Sequence, residues 1–189
     1  VNPNQQSGVI SVFGSHAPQP GSVDYESGRE VGRRLAEAGY AVATGGYGGI
    51  MAAASQGAAE AGGVAIGITS RQVEKSRPVE LNRWVQIETR YETLLERVEH
   101  LVKHNQGIIV MPGGIGTLSE LALAWSLIQV KEIRLRPLIL LGQMWADTMG
   151  AFSNPEYVAE KHIALIYQVW TPAEAVDVLL ETSIQLMQD

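Results

Sequence analysis

The sequence predicts an α/β protein, a three-layer sandwich with a mostly parallel central sheet. Three observations carry this expectation. Short apolar runs alternate with helix-like runs along the whole chain. The apolar runs are continuous rather than alternating, as in strands buried on both faces. Glycine-rich turns recur where an apolar run gives way to a helix-like run, at the carboxyl ends of strands where open parallel sheets bind ligands. The architecture these features imply is Rossmann-like, with right-handed crossovers.

The elements follow in order. GVISVFGS (8–15) reads as a buried strand ending at a glycine, and SHAPQPGS as a loop. DYESGREVGRRLAEAG (24–39) reads as a helix closed by Gly39, with Val31, Leu35 and Ala36 inward. YAVAT (40–44) is the next strand, broken by GGYGG. IMAAASQGAAEAG (50–62) has helix composition with small side chains, which let backbone and helix approach closely and suit a loop wrapped around a ligand. GVAIGIT (63–69) is a third strand, SRQVEKSRPVELN is polar and irregular, and WVQIET (84–89) alternates as a strand does. RYETLLERVEHLVKHN (90–105) is helical, with Leu94, Val98, Leu101 and Val102 as its apolar stripe. GIIVM (107–111) is a strand, followed by PGGIG and a helix over 117–130. A strand over 136–142, a helix over 155–162 and a strand over 163–170 come next. The helix over 172–187 closes the chain, with Thr171 as N-cap and Pro172 at the first helical position.

The 189 residues suit one domain spanning 1–189. The net charge is -6 and no basic block appears, so long nucleic acid is not an expected partner. A small phosphorylated ligand is compatible with that charge, because backbone amides hold phosphate without net positive charge. Cysteine is absent, which excludes disulfides, thiolate nucleophiles and thiolate metal sites and fits a reducing cytoplasm. The opening VNPNQQSG lacks the basic-then-apolar pattern of a signal peptide. No apolar stretch approaches the ~18 residues of a membrane span. The expected location is therefore cytoplasmic, with no membrane partner.

Gly14-Ser15, GGYGG (45–49) and PGGIG (112–116) all fall at expected strand ends, so the three loops are expected to share one crevice. Glycine after a strand is also ordinary turn chemistry. Neither long loop fits the dinucleotide fingerprint GxGxxG, whose last position is Met51 counted from Gly46 and Ser119 counted from Gly114. Neither runs into the GK[ST] of triphosphate-binding loops. Bare amides at a helix start attract a phosphate through hydrogen bonds and the helix dipole, so the loops point to a monophosphate rather than a dinucleotide.

Thr117 and Glu120 stand in the T-x-x-E spacing of a capping box, a structural device. The same residues suit a ligand: the Thr117 hydroxyl can reach a phosphate, and Glu120 can accept from sugar hydroxyls or carry a proton. A neighbouring phosphate disfavours the charged carboxylate, which helps a proton carrier. Arg97 lies between Leu94 and Leu101 on one side of its helix. Either it snorkels or pairs with a nearby carboxylate, or it crosses towards Glu120 and a phosphosugar. His16, His100, His104 and His162 are scattered, and no HExxH pattern forms, so no metal site is expected. No GxSxG elbow exists, and Ser119 reads as an ordinary first-turn serine.

At these residues the chain resembles the LOG-like family, often labelled "lysine decarboxylase-like", whose best-known members are cytokinin riboside monophosphate phosphoribohydrolases. The family motif PGGxGTxxE is matched by Pro112, Gly113, Gly114, Gly116, Thr117 and Glu120. GGYGGIM, with Gly45, Gly46, Gly48, Gly49 and Met51, resembles the upstream glycine signature. VFGS, with Gly14 and Ser15, resembles the first strand and its phosphate-side Gly-Ser. Active members place an arginine in an HERK-like stretch, working with the motif glutamate. The equivalent residues here are Leu95, Glu96, Arg97 and Val98, so the arginine matches while the histidine and lysine do not. That departure brings the chain closer to the branch containing molybdenum-cofactor carrier proteins. The decarboxylase label implies pyridoxal phosphate chemistry, which no lysine here is placed to support.

The resemblance implies a site for a nucleoside 5'-monophosphate such as AMP, with no required cofactor. The glycine loops and Thr117 would hold the phosphate, with Arg97 and Glu120 flanking the ribose. As an enzyme the protein would hydrolyse the N-glycosidic bond to free base and ribose 5-phosphate. Glu120 would then stabilise the growing positive sugar centre, and Arg97 would steady the phosphate or the base. As a carrier it would hold a phosphorylated cofactor such as molybdopterin in the same crevice without chemistry, and as a sensor it would report a nucleotide to a partner protein. The family also implies a homodimer or larger assembly, consistent with the apolar LALAWSLIQV and four Trp residues needing burial.

Overall fold

A computed structural model describes residues 8–188. The VNPNQQSG stretch, expected to lack a targeting signal, falls outside them apart from Gly8. Seven strands form one sheet: β1 (Gly8–Phe13), β2 (Tyr40–Thr44), β3 (Ala65–Ser70), β4 (Ile87–Tyr91), β5 (Gly107–Val110), β6 (Leu138–Leu141) and β7 (Tyr167–Val169). Their order is β4-β3-β2-β1-β5-β6-β7, and every pairing is parallel. The helices are α1 (Val23–Glu37), α2 (Ile50–Glu60), α3 (Arg71–Ser76), α4 (Leu94–Lys103), α5 (Ile115–Gln129), α6 (Gln143–Phe152), α7 (Glu160–Ile163) and α8 (Pro172–Gln188).

Successive strand residues feed two cores. Ile10, Val12, Ile109, Met111, Ile139 and Leu141 pack with Val31 and Leu35 of α1, Ile50 and Ala54 of α2, and Leu179 of α8. Phe13, Ile108, Val110, Leu138 and Leu140 pack on the other face with Val98 and Leu101 of α4, Leu121 of α5 and Trp145 of α6. Two apolar faces explain why the strands read as unbroken apolar runs. The protein is the Rossmann-like three-layer sandwich that this pattern predicts.

The small residues of α2 allow the close approach expected of them. A Cβ added at Gly57 would lie 1.8 Å from the Arg29 carbonyl oxygen, and one at Gly32 would lie 2.0 Å from that of Ala54. The backbones of α1 and α2 therefore touch, and the small side chains serve this helix packing.

Several boundaries also differ. The polar stretch after β3 contains α3, started by Ser70, whose hydroxyl accepts from the Val73 N–H. Helix α6 starts at Gly142 with φ 100° and no side-chain cap, so no capping signal marks it in the sequence. The helix expected over 155–162 shrinks to α7, the strand over 163–170 to β7, and the strand over 84–89 moves to β4. A capping box of Thr93 and Glu96 starts α4 at Leu94, which leaves Leu94 48% exposed instead of in the apolar stripe. Of the four Trp residues only Trp145 is fully buried, and Trp170 is exposed. The start of α8 is as expected: Thr171 Oγ1 accepts from the Glu174 N–H, and the Glu174 carboxylate accepts from the Thr171 N–H. Among the described residues no helix is long and apolar enough to cross a membrane.

The sheet grows from β1 in both directions, through β2 on one side and β5 on the other. Where strand order reverses, the outgoing loops part to opposite faces and leave a crevice at the carboxyl ends. Here those loops begin at Gly14 and Met111.

Candidate functional site

The loops after β1, β2 and β5 meet at this switch point and are tied together through their backbones. The Ser15 N–H donates to the Pro112 carbonyl at 3.0 Å, and the Ile50 N–H donates to the Ser15 carbonyl at 2.8 Å. A cavity of about 440 Å³ opens there, a size typical of small-molecule sites. Gly14, Ser15, Gly45, Met51, Gly114, Gly116 and Thr117 line it, together with Arg97 and Glu120.

The two glycine loops do different jobs. At the start of α5, Gly114 and Gly116 are exposed, and a Cβ added at either would meet nothing within 4 Å. Gly114 is the N-cap and brings no side chain to the helix end, so the first-turn amides have no side-chain cap. Pro112 and Gly113 stand behind this wall. A Cβ at Gly113 would lie 2.2 Å from Thr117 Oγ1, so the Thr117 side chain occupies the space beside that glycine.

The upstream loop is turned inward at Gly46 and Tyr47, while Gly48 is exposed. The Gly46 N–H donates to Thr44 Oγ1 at 3.1 Å. Tyr47 is wholly buried; its hydroxyl donates to the Ser70 carbonyl at 3.2 Å and accepts from the Ser70 N–H at 3.0 Å. Asn82 Nδ2 donates to the carbonyls of Gly46 and Tyr47. Gly49 has φ 65°, and a Cβ there would lie 2.3 Å from the His16 backbone, so glycine lets the first loop lie against the second. Gly46, Gly48 and Gly49 are accordingly not on the cavity wall, while Gly45 and Met51 are.

Gly45 is explained by Arg97. A Cβ at position 45 would lie 1.8 Å from Arg97 Nη2 and 2.6 Å from Met51 Sδ. The guanidinium fills the space a side chain would take. Arg97 is 7% exposed. Its Nε donates to the Ile68 carbonyl at 2.8 Å, and its Nη1 donates to Glu120 Oε1 at 3.3 Å. Its Cζ stands 5.7 Å from the centre of the Tyr47 ring, within range of a cation–π attraction. Arg97 thus crosses to pair with the Glu120 carboxylate, a contact common to both alternatives.

Glu120 is also 7% exposed. Burial pushes its carboxyl from an ordinary 4.5 up to about 7, against the pull of the Arg97 charge. The Thr117–Glu120 capping box does not form, because α5 begins two residues earlier and Thr117 lies inside the first turn. Ser119 is the expected first-turn serine, its hydroxyl donating to the Gly116 carbonyl at 2.7 Å.

The other residues around Arg97 have structural duties. Glu96 is engaged in the capping box with Thr93, and Leu95 is 73% exposed. Val98 is buried in the core cluster with Phe13 and Ile68. The position equivalent to the family lysine thus faces apolar packing rather than the cavity.

Sequence inspection missed His16, Val73, Ser76 and Arg77, which also line the cavity. Arg77 lies in the stretch that looked irregular, and its one local signal is the following Pro78, which holds the residue before it extended. Among the described residues no group of three or more His, Asp or Glu side chains is placed to hold a metal ion. His100 stacks on His104 with ring centres 4.5 Å apart, and neither lines the cavity.

Fold and site define a Rossmann-like protein with a ligand-sized crevice at the switch point of its sheet. The chain belongs to the SLOG cluster4 family, whose profile matches residues 7–164, within a LOG-like superfamily that includes molybdenum-cofactor carrier-like proteins. An uncharacterised protein of Archaeoglobus fulgidus is 30% identical over 133 residues, 70% of this chain and 80% of that protein. Among solved structures, the molybdenum cofactor binding protein of Rippkaea orientalis is 26% identical, with 94% of this chain and 97% of that chain covered and a TM-score of 0.71. The molybdenum cofactor carrier protein of Chlamydomonas reinhardtii is 25% identical, with 96% and 99% covered and a TM-score of 0.70.

Proposed function

We propose that this protein binds a phosphorylated small molecule of the nucleotide or pterin-cofactor class and holds it as a carrier does. The observation that carries this is the open glycine wall at the start of α5, facing the same cavity as Arg97 and Glu120. A phosphoryl group against Gly114 and Gly116 meets first-turn amides and the positive end of the helix dipole. Thr117 lines the same wall and adds a hydroxyl donor. A second negative charge nearby favours the neutral form of Glu120 further, so that it donates a hydrogen bond to the ligand instead of repelling it. The relatives from Rippkaea orientalis and Chlamydomonas reinhardtii, both named for the molybdenum cofactor, support a cargo of that class.

The second reading is a nucleoside 5'-monophosphate phosphoribohydrolase, favoured by the buried carboxyl of Glu120 beside Arg97. It needs an ionised Glu120 when positive charge grows on the sugar. The carrier reading needs no ionised carboxylate and is better supported. Two measurements on the purified protein separate them: mass spectrometry of the co-purified small molecule, and release of adenine from AMP. A carrier retains a phosphorylated pterin or nucleotide and releases no adenine. An enzyme releases adenine and ribose 5-phosphate, and Glu120→Gln abolishes this. A protein that retains no ligand and binds neither AMP nor inorganic phosphate refutes both.

A further inference from the structure

Four titratable side chains line the cavity: His16, Arg77, Arg97 and Glu120. Arg97 and Glu120 pair with each other. Arg77, like Arg83, Arg134 and Arg136, has no carboxylate within ion-pair distance among the described residues, whereas Arg29, Arg33, Arg34, Arg71 and Arg90 each hold at least one. An unmatched arginine on a cavity wall, in a chain of net charge -6, is a place prepared for an anion.

Arg77 and His16 are both exposed, and the backbone of Arg77 is held in place. Arg77 closes α3 with φ -159° and ψ 150°, its N–H donating to the Val73 carbonyl, and Pro78 holds it extended. Val73 anchors α3 by packing with Tyr47 and Met51, the first of which also anchors the upstream glycine loop. Arg77 Nη1 stands 3.3 Å from Nδ1 and 3.5 Å from Nε2 of His16. A nitrogen nearly equidistant from both ring nitrogens is not committed to a directed bond with either. The guanidinium fork therefore keeps donors for a ligand, with the imidazole beside it.

The two ends of the cavity come from different parts of the sheet. Arg77 follows β3, and the glycine wall follows β5. Those strands are three places apart in the order β3-β2-β1-β5, and the Arg77 guanidinium reaches back towards the loop after β1, where His16 stands. Resting on the phosphate site proposed above, we infer that Arg77 and His16 form a second anion subsite. The preferred ligand then carries two anionic groups, a phosphate at the α5 wall and a carboxylate or other oxyanion against Arg77 and His16.

Paired probes test this: AMP, and N6-succinyl-AMP, which adds carboxylates at the edge of the base remote from the phosphate. Calorimetric titration is expected to show the wild-type protein binding N6-succinyl-AMP at least ~tenfold more tightly than AMP, the scale of one charge-assisted contact. Arg77→Gln is expected to erase that preference while binding AMP within about twofold of wild type. Arg77→Lys, with a charge but no fork, is expected to keep part of it. No preference in the wild type, or a preference that survives Arg77→Gln, overturns the inference and leaves the α5 site standing. Failure of the wild type to bind AMP or inorganic phosphate overturns the α5 site itself, and the second subsite with it.

Discussion

Replacing Glu120 with Gln isolates the electrostatics of the buried pair. The unfolded carboxyl titrates near 4.5 and the folded one near 7, raised by burial against the pull of Arg97. Below the lower value both states hold the proton and the group has no effect. Between the two values the folded chain keeps a proton that the unfolded chain has lost, so stability falls as pH rises. Above the upper value the penalty is complete, about 3 kcal/mol in magnitude. Gln cannot ionise, so the stability of the variant relative to wild type is expected to climb by about 3 kcal/mol between pH 4.5 and 8. Losing the partner of Arg97 adds a pH-independent offset. In a chain of this length the change corresponds to a relative Tm rise of roughly 6–12 °C. Thermal unfolding of both proteins at pH 4.5, 6 and 8 reads it, and the other titrating groups cancel in the difference. Parallel curves would refute the reasoning. So would a relative stability of the variant that falls as pH rises, which means the Arg97 charge outweighs burial and Glu120 is an ordinary ionised partner.

Two substitutions at the glycines probe the rest of the site. Gly45→Ala drives a methyl group into the Arg97 guanidinium and Met51; an overpacking cost of about 1–3 kcal/mol is expected, with weaker AMP binding, and unchanged urea unfolding would contradict the packing described. Gly116→Asp enters open space at a helix start, where an acidic side chain is tolerated or mildly stabilising. It is expected to keep the wild-type Tm while lowering affinity for inorganic phosphate more than about tenfold through like-charge repulsion, and equal affinities in calorimetry would remove phosphate from that wall.

Much of the architecture was legible because its signals are local. Unbroken apolar runs marked β1, β2, β5 and β6 as buried on both faces, and the Thr171 cap with Pro172 marked the start of α8. Elements whose start carries no such mark escaped notice. Helix α6 begins at a glycine without a side-chain cap, and α3 is too short, at 6 residues, to show a helical period. The capping-box pattern at Thr117 and Glu120 misled because spacing alone cannot say which residue sits at the N-cap, and Gly114 holds that place.

By itself the sequence determined the alternation of strands and helices, the parallel sheet, and the presence of glycine turns at the carboxyl ends of three strands. Periodicity, capping and turn chemistry act over a few residues and are written in neighbouring positions. Only the tertiary structure decided that one glycine loop closes around Tyr47 while the other leaves its helix start open. It alone brought Arg97 to Glu120, 23 positions away, and set Arg77 on the same wall. Desolvation and charge pairing depend on which distant elements surround a group, and that surrounding exists only once the chain has folded.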